Sequence, residues 1–219
     1  IVVLDGPNGG YGKGMNRGLD HATGEYIGIV EPDDFIALTM YEDLYAIASE
    51  HDLDFVKADF YRFTREENVD MELKYNHLDK TDTWYNKVLD PSQEPEALRF
   101  IMNTCSGIYR RQFLEEHSIR HHETPGASFQ DNGFWMQTFV YGRRAMIVNR
   151  PYYRNRRDNP NSSVKDTGKV YCMNVAYDYI EDLLRKDADV WARFKAMFWL
   201  TRFGTYTFTL SRIVSSFIP

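Results

Sequence analysis

Tyr26-Ile27-Gly28-Ile29-Val30-Glu31-Pro32-Asp33-Asp34 is the stretch whose reading decides the fold. A short apolar run climbs into three carboxylates packed around one proline. Ile27, Ile29 and Val30 favour extended backbone, and a glycine-punctuated helical pattern precedes them, so the run reads as a buried parallel strand. The acids fall at its carboxyl end, which is where open α/β sheets bind ligands. Carboxylates crowded there repel one another unless a cation lies between them. Mg2+ and Mn2+ are hard ions that take such oxygen ligands and share them with substrate phosphates. The same residues also read as an acidic turn capping the next helix, since Asp is a good N-cap. On the cluster alone the two readings are level.

Upstream, Asn8-Gly9-Gly10-Tyr11-Gly12-Lys13-Gly14-Met15-Asn16-Arg17-Gly18-Leu19-Asp20-His21-Ala22-Thr23-Gly24-Glu25 leads directly into that run. Together the two stretches resemble the second half of the nucleotide-sugar domain of family 2, GT-A-type glycosyltransferases. In that family an N-x-G-x-x-x-A-x-N-x-G helix and an A-x-G-x-Y-I strand run into a D-x-D-D metal motif. Asn16 and Gly18 match the family's Asn and Gly. Asp33 and Asp34 match its last two acids, and Glu31 stands where the first Asp is usual. Met15 stands where many members carry Arg. The match covers residues 1–60 well and 105–165 more loosely. It implies an α/β fold, a GT-A-like (Rossmann-like) mixed sheet flanked by helices over 1–165, with the first strand-helix unit absent. A C-terminal helical region follows over 166–219. It also implies a divalent metal, Mn2+ or Mg2+, at Glu31, Asp33 and Asp34, and donor contacts from Lys13, Asn16 and Asp33.

Composition sets wider bounds. The chain has 219 residues, 43% hydrophobic and 15% aromatic, enough for one sizeable core plus a helical annex. A formal net charge of −6 argues against duplex nucleic acid as a partner. Cys105 and Cys172 make no disulfide framework and fit a reducing compartment, so the expected location is cytoplasmic, on the inner face of the membrane if bound to one. No apolar run is long enough to predict a membrane-spanning helix. Ile1-Val2-Val3-Leu4 reads as a buried strand, so the chain is expected to begin inside a fold. In the resembled family the strand and helix that hold the base come earlier, which leaves the base unassigned.

Along the chain, helices are expected over Tyr11–Ala22, Leu38–Ser49, Glu96–Met102 and Arg110–Glu116, and strands over Tyr26–Val30, Asp54–Arg62, Cys105–Tyr109 and Met146–Val148. Residues 64–95, with polar Thr64–Asn68 and Asp79–Asp82, read as an excursion shaping the acceptor side or as a solvated loop. From Val170 onward the pattern is helical, with Met173, Tyr177, Ile180 and Leu184 in one stripe. Phe198–Ile218 carries many aromatics with Arg202 and Arg212. Packing against the domain is its first reading and peripheral membrane contact its second.

Ser128-Phe129-Gln130-Asp131-Asn132-Gly133-Phe134-Trp135 resembles the family's E-D-x-x-F-W motif, with Gln130 replacing Glu. The resemblance makes Asp131 the catalytic base and sets Phe134 and Trp135 on the acceptor side. At a helix start the carboxylate is stabilised by free N–H groups, while its apolar neighbours push its pKa up. Arg154, Arg156 and Arg157 suit phosphate oxygens, because guanidinium forks bind them bidentately. Arg154 and Arg156 are the diphosphate candidates, and the loop Asp158–Ser163 looks like the family's closing loop. His117, His121 and His122 lack closed zinc spacing. His121 or His122 would complete a metal shell in some relatives and otherwise belongs to a loop. Cys105 reads as core packing. The expected function is inverting, metal-dependent transfer from a nucleotide diphosphate sugar to a glycan or glycolipid acceptor, in bacterial-type surface polysaccharide synthesis. Two rivals stand beside it. One is a binding module for carbohydrate or nucleotide that has lost catalysis, favoured by the Met15, Glu31 and Gln130 departures. The other is a nucleotidyltransferase, which would carry a Gly-rich basic loop after its first strand.

Overall fold

The computed structural model describes residues 1–64, 71–160, 162, 169 and 171–217, with side chains described up to 211. The elements run α1 (Tyr11–His21), β1 (Tyr26–Gly28), β2 (Phe35–Ile36), α2 (Met40–Glu50), β3 (Phe55–Thr64), β4 (Glu72–Asn76) and a 3-10 turn (Pro95–Arg99). Then come β5 (Gly107–Arg110), α3 (Arg111–Glu116), α4 (Gln130–Tyr141), β6 (Ala145–Arg156), α5 (Cys172–Leu184) and α6 (Ala188–Phe217).

One mixed sheet has the order β1-β5-β3-β6-β2, with β4 paired to the outer half of β3. β3 and β6 are its parallel pair, in register from Phe55↔Ala145 to Phe63↔Arg156 with a bulge between Ala58 and Phe60. The other pairs are antiparallel. β3 is buried continuously from Phe55 to Phe60, the pattern of a strand covered on both faces rather than an alternating one. α2 buries Met40, Leu44 and Ala48 and packs on β3 and β5. α4 sets Phe139 against Phe55 at 5.1 Å and packs on α1, α5 and the 3-10 turn. The expected stripe of α5 is buried throughout. α6 buries Phe194, Met197 and Phe198 but leaves Trp199, Leu200 and Phe203 exposed. No described helix is long and apolar enough to cross a membrane.

Three expectations are corrected. Ile1–Leu4 is not a buried strand: Ile1, Val2 and Val3 are exposed and pair with no strand among the described residues. β1 is therefore the sheet edge, three residues long, and it pairs antiparallel with β5 rather than parallel. The acids still leave from its carboxyl end. Residues 71–95 do not lie over the active face. Asp59, fully buried in β3, accepts hydrogen bonds from the Tyr75 hydroxyl (2.9 Å), the Tyr85 hydroxyl (2.7 Å) and the Leu78 amide (2.7 Å). A buried carboxylate needs such donors, and supplying them draws this segment onto the sheet. Arg65–Asn68, the boundary at 165/166, Asn161 and Ser163 of the expected closing loop, the Arg212 side chain and Ile218 lie outside the described residues.

Candidate active site

A cavity of about 990 Å³ opens beyond the carboxyl end of β1, between that turn, the β3–β6 strand ends, the start of α4 and α6. Glu31, Asp33 and Asp131 line it, with Arg62, Arg156 and Arg157, and with Tyr11, Phe129 and Trp135.

The acidic turn is fixed by β6. The Asp34 amide donates to the Glu31 carbonyl at 3.1 Å, closing the turn around Pro32. The Asp34 carboxylate accepts from the Tyr153 hydroxyl (2.7 Å), the Asn155 amide (3.0 Å) and the Arg156 backbone N–H (2.7 Å). The Tyr153 hydroxyl also accepts from the Glu31 backbone N–H at 3.1 Å. Both Asp34 oxygens are thus spent on holding the turn. Asp33 accepts the Asn159 amide at 2.6 Å, and Glu31 the Tyr11 hydroxyl at 3.1 Å. Burial, and after it the charges of Asp34, Asp131 and Asp33, raise the Glu31 carboxyl, against the Tyr11 hydrogen bond, which lowers it. Glu31, Asp33 and Asp34 each bring a carboxylate oxygen within 4.8 Å of the others, all half-buried; among the described residues no other cluster of acids, His or Cys does so. This hard, crowded donor set fits a divalent cation, with Asp33 and Glu31 freer to hold it than Asp34.

α4 enters the cavity through a strained residue. Phe129 adopts a left-handed φ of 64° just before the helix, which turns the chain so that Asp131 lies in its first turn. Gln130 stitches this entry: its amide donates to Thr124 Oγ1 at 2.8 Å, and its carbonyl oxygen accepts the Ser128 N–H at 2.5 Å. The Tyr11 N–H donates to the Gly126 carbonyl at 2.8 Å, joining the start of α1 to the same loop. Gly12 makes that approach feasible, because a Cβ there would stand 2.0 Å from the His122 carbonyl oxygen. Burial raises the Asp131 carboxyl, opposed by its own N–H and that of Asn132. Trp135, one turn later, lines the same cavity.

Four expected site residues are not brought there. Asn16 is buried and pins α1 to the stretch before α4: its amide donates to the His121 carbonyl and to Glu123, each at 2.9 Å, and its oxygen accepts the His121 N–H at 2.9 Å. Lys13 is exposed on α1 and does not line the cavity. Phe134 is core, stacked on His121 at 4.5 Å and edge-on to Tyr109 at 5.1 Å. Arg154 lies over the Tyr61 ring at 4.6 Å. Arg154 and Arg156 share one face of β6, but Arg154 is paired with Tyr61 and Arg156 two residues further on with Phe63, so only Arg156 comes to the cavity end of the strand. Arg156 reaches the rim, its Nε donating to Asp158 at 2.6 Å. His121 carries two buried ring nitrogens with no partner among the described residues, and His122 stacks on Tyr179 at 3.9 Å; neither joins the acid group. Cys105 is buried beside the cavity, and burial pushes its thiol up to about 12, so it is no nucleophile at neutral pH. Tyr11, Tyr153, Asn155, Asn159 and Arg62 escaped the sequence reading. Period-two counting from Tyr153 would have found Asn155.

Residues 1–117 match the model of glycosyl transferase family 2. The chain is 28% identical over 165 residues to the uncharacterised glycosyltransferase EpsJ of Bacillus subtilis, covering 74% of this chain and 46% of that protein. It is 25% identical over 201 residues to the glycosyltransferase GlyG of Streptococcus pneumoniae, covering 86% and 62%. It therefore spans about half the length of the curated relatives it matches. The fold is similar to that of S. aureus TarS 1–349 in complex with UDP-GlcNAc, with a TM-score of 0.55 at 18% identity, covering 80% of this chain and 48% of that one.

Proposed function

Given that this chain belongs to glycosyl transferase family 2, we propose that it transfers a sugar from a nucleotide diphosphate sugar to a hydroxyl of a glycan or glycolipid acceptor, with inversion, in bacterial surface polysaccharide synthesis. The observation that carries this is the meeting of the acid cluster and the half-buried Asp131 in one cavity. The similarity in fold to TarS bound to UDP-GlcNAc supports a nucleotide-sugar donor. In this reading the reaction runs on the cytoplasmic side. The exposed aromatics of α6 would rest peripherally on the membrane where a lipid-linked acceptor is presented.

In this reading Asp33 and Glu31 hold a divalent cation, Mn2+ or Mg2+, which would supply Lewis-acid neutralisation of the departing diphosphate. Asp34 keeps the turn in register with β6 through Tyr153, Asn155 and the Arg156 amide. Arg156 adds a guanidinium near Asp33 for phosphate oxygens. Asp131 takes the proton of the acceptor hydroxyl as its oxygen bonds to the anomeric carbon and the bond to the diphosphate oxygen breaks. Its burial helps, since a raised carboxyl is a stronger base. Trp135 is almost wholly buried against Phe139 and would add apolar wall beneath a sugar ring rather than an open stacking face. Attack by the acceptor itself, without a covalent sugar-enzyme step, inverts the anomeric centre. A panel of nucleotide diphosphate sugars, each incubated with the protein and Mn2+ and read by nucleoside diphosphate release, tests the proposal. Release from at least one donor that Asp131→Asn abolishes is expected; release from none, with nucleotide binding intact, would leave a binding module.

A further inference from the structure

The cavity has a basic wall that the proposed roles leave unused. β3 and β6 are parallel and in register, so Arg62 and Asn155 lie side by side on one face. Alternation returns the next-but-one residue, Arg157, toward that face. Arg62, Asn155 and Arg157 all line the cavity. The Arg62 guanidinium lies 5.7 Å over the Phe60 ring, and its Nε is fully buried with no hydrogen-bond partner among the described residues. Burial and the like charge of Arg157 both push the Arg62 guanidinium below its ordinary value, and among the described residues no carboxylate offsets them. A half-buried cation with an unmet N–H beside a second cation is costly by itself. An oxyanion relieves both terms at once, because a guanidinium offers paired donors matched to two phosphate oxygens.

We propose that Arg62 and Arg157 form a phosphate-binding seat on the β3–β6 wall, separate from the acid cluster. The seat rests on the reading of this cavity as the substrate site, and it takes either a phosphate of the donor's diphosphate or one carried by the acceptor. Asn155, in register with Arg62, lines the same cavity and donates to Asp34 at 3.0 Å.

Isothermal titration with inorganic pyrophosphate, and separately with glycerol 1-phosphate, tests the seat in EDTA, where the acid cluster holds no metal. The proteins are wild type, Arg62→Gln, Arg157→Gln and Arg154→Gln. Each of the first two variants is expected to weaken binding about 10-fold or more, the loss of one charge-assisted contact. Arg154→Gln, over Tyr61, is expected to bind as wild type does. Loss for pyrophosphate alone assigns the seat to the donor, and loss for glycerol phosphate alone assigns it to the acceptor. Arg157 is exposed at the strand end, so its variant reports even if Arg62→Gln unfolds. Wild-type affinity in Arg157→Gln for both probes, or no binding of either probe to the wild type, overturns the seat. The test needs no sugar transfer: phosphate loss in a protein that turns over no donor keeps the seat and rejects the transferase reading.

Discussion

The proposed reading gives the adjacent acids Asp33 and Asp34 different duties, and replacing each by Asn separates them. Asp34 accepts three hydrogen bonds, from Tyr153, Asn155 and the Arg156 amide, between 2.7 and 3.0 Å. A carboxamide retains one acceptor oxygen. With that oxygen on the Arg156 N–H, its NH₂ meets the Tyr153 hydroxyl and the Asn155 NH₂, both already donating. One or two charge-assisted bonds are lost, at about 1.5–3 kcal/mol each. Discounted for half-burial, Asp34→Asn should cost about 2–3 kcal/mol. For a chain of this size that lowers Tm by about 4–12 °C. Asp33 accepts one described hydrogen bond, from Asn159. Its carboxamide still accepts that bond, and the removed charge relieves repulsion within the cluster, so Asp33→Asn should melt within about 2 °C of wild type. It should nonetheless lose Mn2+-dependent nucleotide binding sharply, and Asp34→Asn less so. Thermal melts and nucleotide titration, each with Mn2+ and with EDTA, read both quantities. Equal melting of the two variants, or wild-type affinity in Asp33→Asn, would refute the division of labour.

Three other substitutions probe the rest of the molecule. Asp131→Asn should lower turnover about 10²–10⁴-fold while keeping donor affinity, as for removal of a positioned base; activity within a few-fold of wild type would remove Asp131 from the mechanism. His121 is buried, and burial pushes it from 6.5 down to about 4. The unfolded chain then takes up a proton that the folded one refuses, so stability is whole above pH 6.5 and falls by about 3 kcal/mol as pH drops to 4. His121→Phe keeps a flat ring against Phe134 and should flatten the slope of stability against pH in that window; an unchanged slope contradicts this. Gly12→Ala would set a Cβ 2.0 Å from the His122 carbonyl, whereas Gly18 has nothing within 4 Å. Denaturant melts should show a loss of about 1–3 kcal/mol for the first and a gain of up to about 1 kcal/mol for the second; equal effects would mean that α1 does not depend on this close approach.

Much of the frame was legible because it rests on local rules. The glycine-rich helix, the acids at the end of β1, and the α4 entry at Asp131 are each set by short patterns that packing does not reverse. The stripe Met173, Tyr177, Ile180 and Leu184 is another such pattern. What escaped is set by distant partners. Nothing local says that Asn16 spends its amide on His121 and Glu123, or that Tyr153 ties Glu31 to Asp34 across the sheet. The edge position of β1 was hidden because apolar Ile1–Leu4 reads as a strand whether or not a neighbour is there to pair it. The excursion over 71–95 was misplaced because buried Asp59, read as part of a strand, gave no sign of the three donors it would need. The basic run 154–157 was legible only in part: Arg156 and Arg157 reach the cavity, whereas Arg154, further back along β6, lies over the Tyr61 ring.

The central claim is that the acid cluster holds a divalent cation that seats a nucleoside diphosphate. Anomalous scattering at the manganese edge, from crystals of the protein grown with Mn2+ and a nucleoside diphosphate, tests it most directly. The account predicts a manganese peak at Asp33 and Glu31, shared with the diphosphate oxygens, and its loss in Asp33→Asn. A diphosphate bound in the cavity with no manganese at these carboxylates would contradict it.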